Sequence, residues 1–292
     1  MGNVVDYWRL TKPRVTLAIF LLFFLAVLAG GGGYSWLSKA EQLRKMILGS
    51  MIVLTAVSGS NALNNRMDYD IDGIMGRTKN REIPSGRISA KAAQYFGLSF
   101  ITISAVLALV LGDYFPTLLL IGLASYLLMY TLALKRTSVL NVLGVAPAVA
   151  SPVWIGWILG KGYLDLAGFL TGVLVMIWGP LHLWSLASVY SEDYRSAAIP
   201  MLPSIIGVRR SCWYILTSAM VLSIGSLSLF FLGYYGLIYF VGVALASTVL
   251  VTFSIMTVAR PSGRRNWIMY KFSAPYMVIV LLFAAMDRFL VA

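Results

Sequence analysis

The chain is nearly devoid of cysteine and histidine: Cys212 and His182 each stand alone among 292 residues. A single cysteine excludes an internal disulfide and any site built from several thiolates. Charge is scarce too, at 12% of residues against roughly 25% in an ordinary soluble domain. No low-complexity linker breaks the sequence, and no G-x-x-x-x-G-K-[ST] loop is present to hold nucleotide phosphates. Apolar bulk takes their place, with 59% hydrophobic residues and a mean hydropathy of +0.82. These values exclude a disordered chain, a disulfide scaffold and a water-soluble globular domain, and describe a polytopic membrane protein. A net charge of +12 would suggest nucleic acid on a soluble protein. On one this apolar it records orientation against an anionic lipid surface, and no nucleic-acid partner is expected.

A spanning helix needs about 20 mostly apolar residues. Nine runs qualify: 15–33, 46–65, 92–112, 116–134, 142–160, 166–190, 212–233, 236–259 and 272–291. The fold class read from them is all-α, a nine-helix transmembrane bundle forming one domain over residues 1–292. The first run follows Arg9, Lys12 and Arg14 and is read as an uncleaved span, because no A-x-A cleavage site follows it. With nine spans, 18 of the 23 Lys and Arg residues fall on the N-terminal face. Lys39, Arg44, Lys45, Lys161 and Arg288 fall on the other. By the positive-inside rule the N-terminus is cytoplasmic, in the plasma membrane, and the site lies near that face. The Gly30–Gly33 run and the many aromatics read as packing and interfacial anchoring.

The acids cluster on the basic face. Asp68, Asp70, Asp72 and Glu82 share the loop after the second span, and Glu192 and Asp193 the loop after the sixth. Both loops run from acids through Arg to Ile-Pro (Ile83-Pro84, Ile199-Pro200), which hints at a four-helix internal repeat. Asn64, Asp68 and Asp72 recur every four residues, so on a helix they share one face. Either these acids pair with Arg66, Arg77 and Arg81 as a solvated helix end, or they hold a hard cation. The oxygen set suits Mg²⁺, which takes one or two carboxylates and completes its shell with water and phosphate. Ionisable groups at membrane depth are costly to keep, which favours the second reading. Arg77, Lys79, Arg81, Arg87 and Lys91 follow, with Lys135 and Arg136 on the same face. Guanidinium groups beside Mg²⁺ fit a diphosphate. Glu192 and Asp193 are either a surface turn paired with Arg195 or ligands of a second ion. His182 is either a satisfied interior residue near Pro180 or a ligand.

These residues resemble the UbiA-type intramembrane prenyltransferases. The first motif, N-x-x-x-D-x-x-x-D, is Asn64, Asp68 and Asp72; further matches are Thr11-Lys12-Pro13-Arg14, Tyr130-Thr131 with Leu134-Lys135-Arg136-Thr137, and Asp193-Tyr194-Arg195 with Ile199-Pro200-Met201-Leu202-Pro203. The superfamily's second motif is D-x-x-x-D, whereas here Ala197 stands four residues after Asp193. The heme O synthase branch shares that departure. Glu82, where the branch usually has Pro, and Leu181 and Leu183 around His182 depart from it. The resemblance implies a central cavity and Mg²⁺-dependent transfer of a prenyl group from farnesyl diphosphate, or a longer prenyl diphosphate, to heme b. It implies catalytic roles for Asp68, Asp72 and Asp193, and metal contacts from Asn64, Asp68, Asp72, Asp193 and Glu192. It implies diphosphate contacts from Arg77, Arg81, Lys135 and Arg136, and heme contact from His182. Tyr126, Tyr130 or Trp184 is expected to shelter an allylic cation. The alternative acceptors are a quinone precursor or a lipid alcohol. Outside the superfamily, the CDP-alcohol phosphotransferase pattern is absent, and a transporter is expected to keep its acids near mid-membrane.

Overall fold

The computed structural model describes residues 2–31 and 40–291. Lys39 and the end of the Gly30–Gly33 run, both singled out above, lie outside these residues. No strand occurs among the described residues, and nine helices there are long and apolar enough to cross a membrane. They are α2 (Pro13–Gly31), α3 (Ala40–Met67), α5 (Ala90–Leu111), α6 (Phe115–Leu123) continued by a π-helix (Ala124–Leu134), α7 (Asn141–Lys161), α8 (Leu166–Val189), α11 (Val208–Phe231), α12 (Leu237–Ala259) and α13 (Gly263–Val291). Short helices join them: α1 (Val4–Leu10) ahead of the first span, α4 (Tyr69–Ile74) after α3, and α9 (Ser191–Ser196) and α10 (Leu202–Ile206) after α8. The protein is a multi-pass membrane protein.

Three spans, α3, α11 and α13, begin a turn or more before their apolar runs, and in each the extra turns are charged. α3 begins at Ala40, where Glu41 accepts from Arg44 at 2.8 Å and satisfies a solvated first turn. α13 begins at Gly263 and takes up Arg264, Arg265 and Lys271, which hydropathy alone assigns to a loop. The remaining ends follow ordinary capping rules. Ser89 caps α5 through Ala92 N, and Asp165 caps α8 through Gly168 N. α1, a helix the sequence analysis did not assign, closes a capping box between Asn3 and Asp6.

Packing concentrates on α7, which is buried along nearly its whole length. A Cβ on Gly156 would stand 2.4 Å from the Phe23 carbonyl, and one on Gly160 2.2 Å from that of Val27. Glycine is therefore required for α2 and α7 to meet backbone to backbone, the close approach typical of helices in lipid. The two largest apolar cores share α2 and α7: one lies between them and α3, α5 and α6, the other between them and α8 and α11–α13. The basic loops and the short helices α4, α9 and α10 gather at one end of the bundle.

Candidate active site

The asparagine face of α3 builds the floor of this end. Asn61 Nδ2 donates to the Thr11 carbonyl at 3.0 Å and Asn65 Nδ2 to that of Leu10 at 3.2 Å. Together they clamp the turn between α1 and α2 against α3. The turn places Lys12 in the left-handed region, φ 52°, a conformation that non-glycine residues adopt at a cost. That strain aims Lys12 Nζ at Asn64 Oδ1, 2.8 Å away. Burial pushes the Lys12 ammonium down to about 7, with the nearby Arg81 charge adding to the effect.

Asp68 ends α3, and a new helix starts at Tyr69, yet the register carries through. Asp68 N bonds the Asn64 carbonyl at 2.9 Å, and Asp72 N that of Asp68 at 2.8 Å. Asn64, Asp68 and Asp72 are consequently stacked and buried as their spacing predicts. Asn64 Nδ2 donates to Asp68 Oδ2 at 2.7 Å, and Lys135 Nζ donates to the same oxygen. Asp72 Oδ2 accepts from Arg81 Nη1 at 2.6 Å. Asp68 Oδ1 is buried without any hydrogen-bond partner. A free anionic lone pair in a buried site beside a second carboxylate and an amide fits a hard divalent cation. Among the described residues, no three His, Cys, Asp or Glu side chains form a cage on their own. The oxygens present leave part of an ion's shell for water and phosphate.

The second acidic loop meets the first. Asp193, on α9, accepts the Arg77 backbone N–H at 3.0 Å through Oδ2, and Gly76 is so close that a Cβ there would lie 3.3 Å from Asp193 Oδ1. The Arg77 guanidinium donates to Tyr194 Oη at 3.1 Å and lies over the Tyr190 ring at 5.1 Å. Lys135 comes from the π-helix, whose N–H groups reach back five residues (Lys135 N to the Tyr130 carbonyl, 2.8 Å). Wide turns of this kind often mark functional sites. This one turns Tyr126, Thr131 and Lys135 toward α3: Tyr126 Oη donates to Asn61 at 3.2 Å, and Thr131 Oγ1 accepts from Asn64 at 3.1 Å.

Beneath the charged cluster is an apolar cavity of about 460 Å³. Arg14, Asn61 and Tyr126 line it near the basic end, and Leu22, Ile52 and Ile155 deeper down. His182 and Trp178 also line it, on the side facing α13.

Not every residue expected at the site is brought to it. Arg136 follows Lys135 in the turn beyond the π-helix. It grips Asp70 with two bonds of 2.7 and 2.8 Å on the exposed surface, away from Asp68 and Asp72. This guanidinium holds the Asp70 carboxyl below its ordinary range. Glu192 likewise points to solvent, paired with Arg195 at 2.5 Å, while its neighbour Asp193 faces the first motif. Trp184 packs edge-on against Tyr214 and does not line the cavity. Glu82 is neutralised by Arg87 at 3.3 Å, which also holds Asp6. Residues that the sequence left unassigned are Lys12, Asn61 and Thr131. The signal for Lys12 and Thr131 was present, since both sit in motif stretches; Asn61 lies one turn before Asn64 on the same face.

Comparison with known proteins bears on the family and the fold. Residues 15–282 match the UbiA prenyltransferase family. The chain is 36% identical over 286 residues to protoheme IX farnesyltransferase 1 of Cenarchaeum symbiosum, covering 96% of this chain and 94% of that one. It is 33% identical over 288 residues to protoheme IX farnesyltransferase of Desulforudis audaxviator, covering 97% and 88%. Among solved structures, a digeranylgeranylglyceryl phosphate synthase superposes with a TM-score of 0.79 at 18% identity, over 99% of both chains. A UbiA homolog from Archaeoglobus fulgidus bound to GPP and Mg²⁺ superposes with a TM-score of 0.68 at 16% identity, over 95% of this chain and 99% of that one.

Proposed function

The chain belongs to the UbiA prenyltransferase family, and on that premise we propose that it transfers the farnesyl group of farnesyl diphosphate to a vinyl group of protoheme IX, giving heme O. The observation that carries this reading is the meeting of both acidic loops, Asp193 on Arg77 N and Asp68 with one free buried oxygen, above an apolar cavity. The names of the relatives supply the acceptor.

Asn64, Asp68 and Asp72 would hold one Mg²⁺, and Asp193 a second; bound there, the ions supply charge compensation for the leaving diphosphate. The protein's own cations do the rest of the neutralising. Lys12, Arg81 and Lys135 already surround the carboxylates, and Arg77 stands beside Asp193. A diphosphate that takes up these cations loosens the bond between farnesyl C1 and its oxygen. The bond breaks with its electron pair leaving on the diphosphate. The vinyl π electrons then form the new carbon–carbon bond, and water adds at the carbon next to the porphyrin ring and releases a proton. The ring face of Tyr126, which lines the cavity, offers the allylic cation an attractive surface, with Tyr130 stacked beside it at a centroid distance of 6.0 Å. The cavity wall keeps water from the cation before the acceptor reaches it. His182, in that wall, would meet the acceptor. We place the basic face in the cytoplasm, where both substrates enter, and the bilayer is the plasma membrane.

The test offers the purified protein farnesyl diphosphate, Mg²⁺ and either heme b or an aromatic acid, and identifies products by mass. Farnesylated, hydrated heme is expected. A prenylated aromatic acid and untouched heme would overturn the acceptor while leaving the family intact.

A further inference from the structure

The cavity wall holds a hydrogen-bonded device that the diphosphate chemistry does not use. His182 Nδ1 lies 2.7 Å from Ser273 Oγ on α13, and that hydroxyl donates its only proton to the Tyr270 carbonyl at 2.7 Å. A hydroxyl whose proton is committed elsewhere receives a hydrogen bond through its lone pair. The proton between the two residues therefore belongs to His182 Nδ1. In a neutral imidazole the other nitrogen is then a bare lone pair. Nε2 has no hydrogen-bond partner among the described residues, and the side chain carrying it lines the cavity.

The ring is fixed in plane as well as in protonation. Trp178 stacks on one side at 4.5 Å and Tyr270 on the other at 4.5 Å. Trp178 Nε1 donates to the Ser273 carbonyl at 2.6 Å, so residues one turn apart on α8 latch onto the same serine. Proline interrupts both helices close by, Pro180 in α8 and Pro275 in α13.

We propose that Ser273 is a positioning residue that holds His182 as its Nδ1–H tautomer and so presents the Nε2 lone pair to the iron of the porphyrin acceptor. The inference rests on the heme reading above and goes beyond it by naming the serine that sets the ligand's protonation and aim. It follows the general pattern in which a ligating histidine donates its second N–H to a neighbouring acceptor. Ser273 is fully buried and itself lies behind the cavity wall.

The chain's single histidine makes a direct test possible. In protein labelled with ¹⁵N-histidine and carrying no polyhistidine tag, nitrogen shifts are expected to show Nδ1 protonated and Nε2 unprotonated without any ligand. Ser273→Ala should convert this to a tautomer mixture, and Ser273→Thr, which keeps the hydroxyl, should restore it. Added heme b should give a Soret band that changes in His182→Ala. Its affinity should fall by about 10–100-fold in Ser273→Ala, the usual cost of losing such a partner. A proton on Nε2 in the unaltered protein, or unchanged heme affinity and Soret band in Ser273→Ala, overturns the proposal. A Soret band indifferent to His182→Ala overturns it as well, whereas the absence of prenylated heme in the turnover assay overturns the acceptor reading itself. The two failures are separable because the tautomer is read before heme is added.

Discussion

At the scale of single residues, the deciding contrast is between carboxylates that keep an oxygen free and those fully engaged by a neighbour. Asp68 has one oxygen held by Asn64 and Lys135 and one held by nothing. Both Asp70 oxygens are taken by Arg136 in the open. Asp68→Asn should lower turnover by about 10²–10³-fold, the scale of losing one preorganised electrostatic contact. Arg136→Ala should leave turnover within about threefold, because exposed ion pairs contribute little. Steady-state rates on folded protein check both. Lys12 sets a pH dependence whose sign follows from burial. Its ammonium titrates near 7 in the substrate-free site, so it is charged below that value and neutral above it. Diphosphate binding favours the charged form, and KM for farnesyl diphosphate should rise from pH 7 to 9, by at most about tenfold per unit for one proton. Lys12→Met should raise KM at pH 7 and flatten the profile.

Residue patterns were legible where geometry is local. The four-residue spacing of Asn64, Asp68 and Asp72 survived the helix break because backbone bonding bridges it. What the sequence did not separate were adjacent pairs, Lys135 with Arg136 and Glu192 with Asp193. Composition treats such neighbours alike, but the fold turns them to different surroundings. Ser273 carried no signal, because its meaning depends on a residue 91 positions away.

At the scale of elements, the junction of α4 and α9 carries the most function in the least chain. Gly76 leaves just enough room for the Asp193 carboxylate, and a methyl group there would crowd Oδ1 at 3.3 Å. Gly76→Ala should push Asp193 back by a few tenths of an ångström. The expected result is a higher Mg²⁺ requirement, roughly three- to tenfold given the sensitivity of such sites to misplacement, with the melting temperature little changed. Magnesium titration of activity measures it. The π-helix was unreadable in advance, since an apolar stretch such as Ala124–Leu134 encodes length more strongly than the hydrogen-bond step. The short helices α4 and α9 were not legible as separate elements for a related reason: six residues make too few turns to show a periodicity.

At the scale of the whole molecule, all nine spans followed from hydropathy, because lipid punishes every unpaired backbone group and leaves helices as the available solution. Their ends shifted where charged turns continue a helix into the interface, as at Ala40 and Gly263. Orientation is open to a simple measurement, since Cys212 is buried and leaves the background clean. A cysteine at exposed Lys79 should react with an impermeant maleimide only from the cytoplasmic side, and one at exposed Tyr163 only from outside. The reverse labelling would overturn the cytoplasmic placement of the site.

The hollow beneath the charges leads into apolar packing. Past Leu22, Ile52 and Ile155 come Phe23, Val27, Ile158 and Leu159, buried where α2 and α7 meet. None of these four side chains can be protonated or ionised, so a proton moving inward from the charged end finds no stepping stone among them.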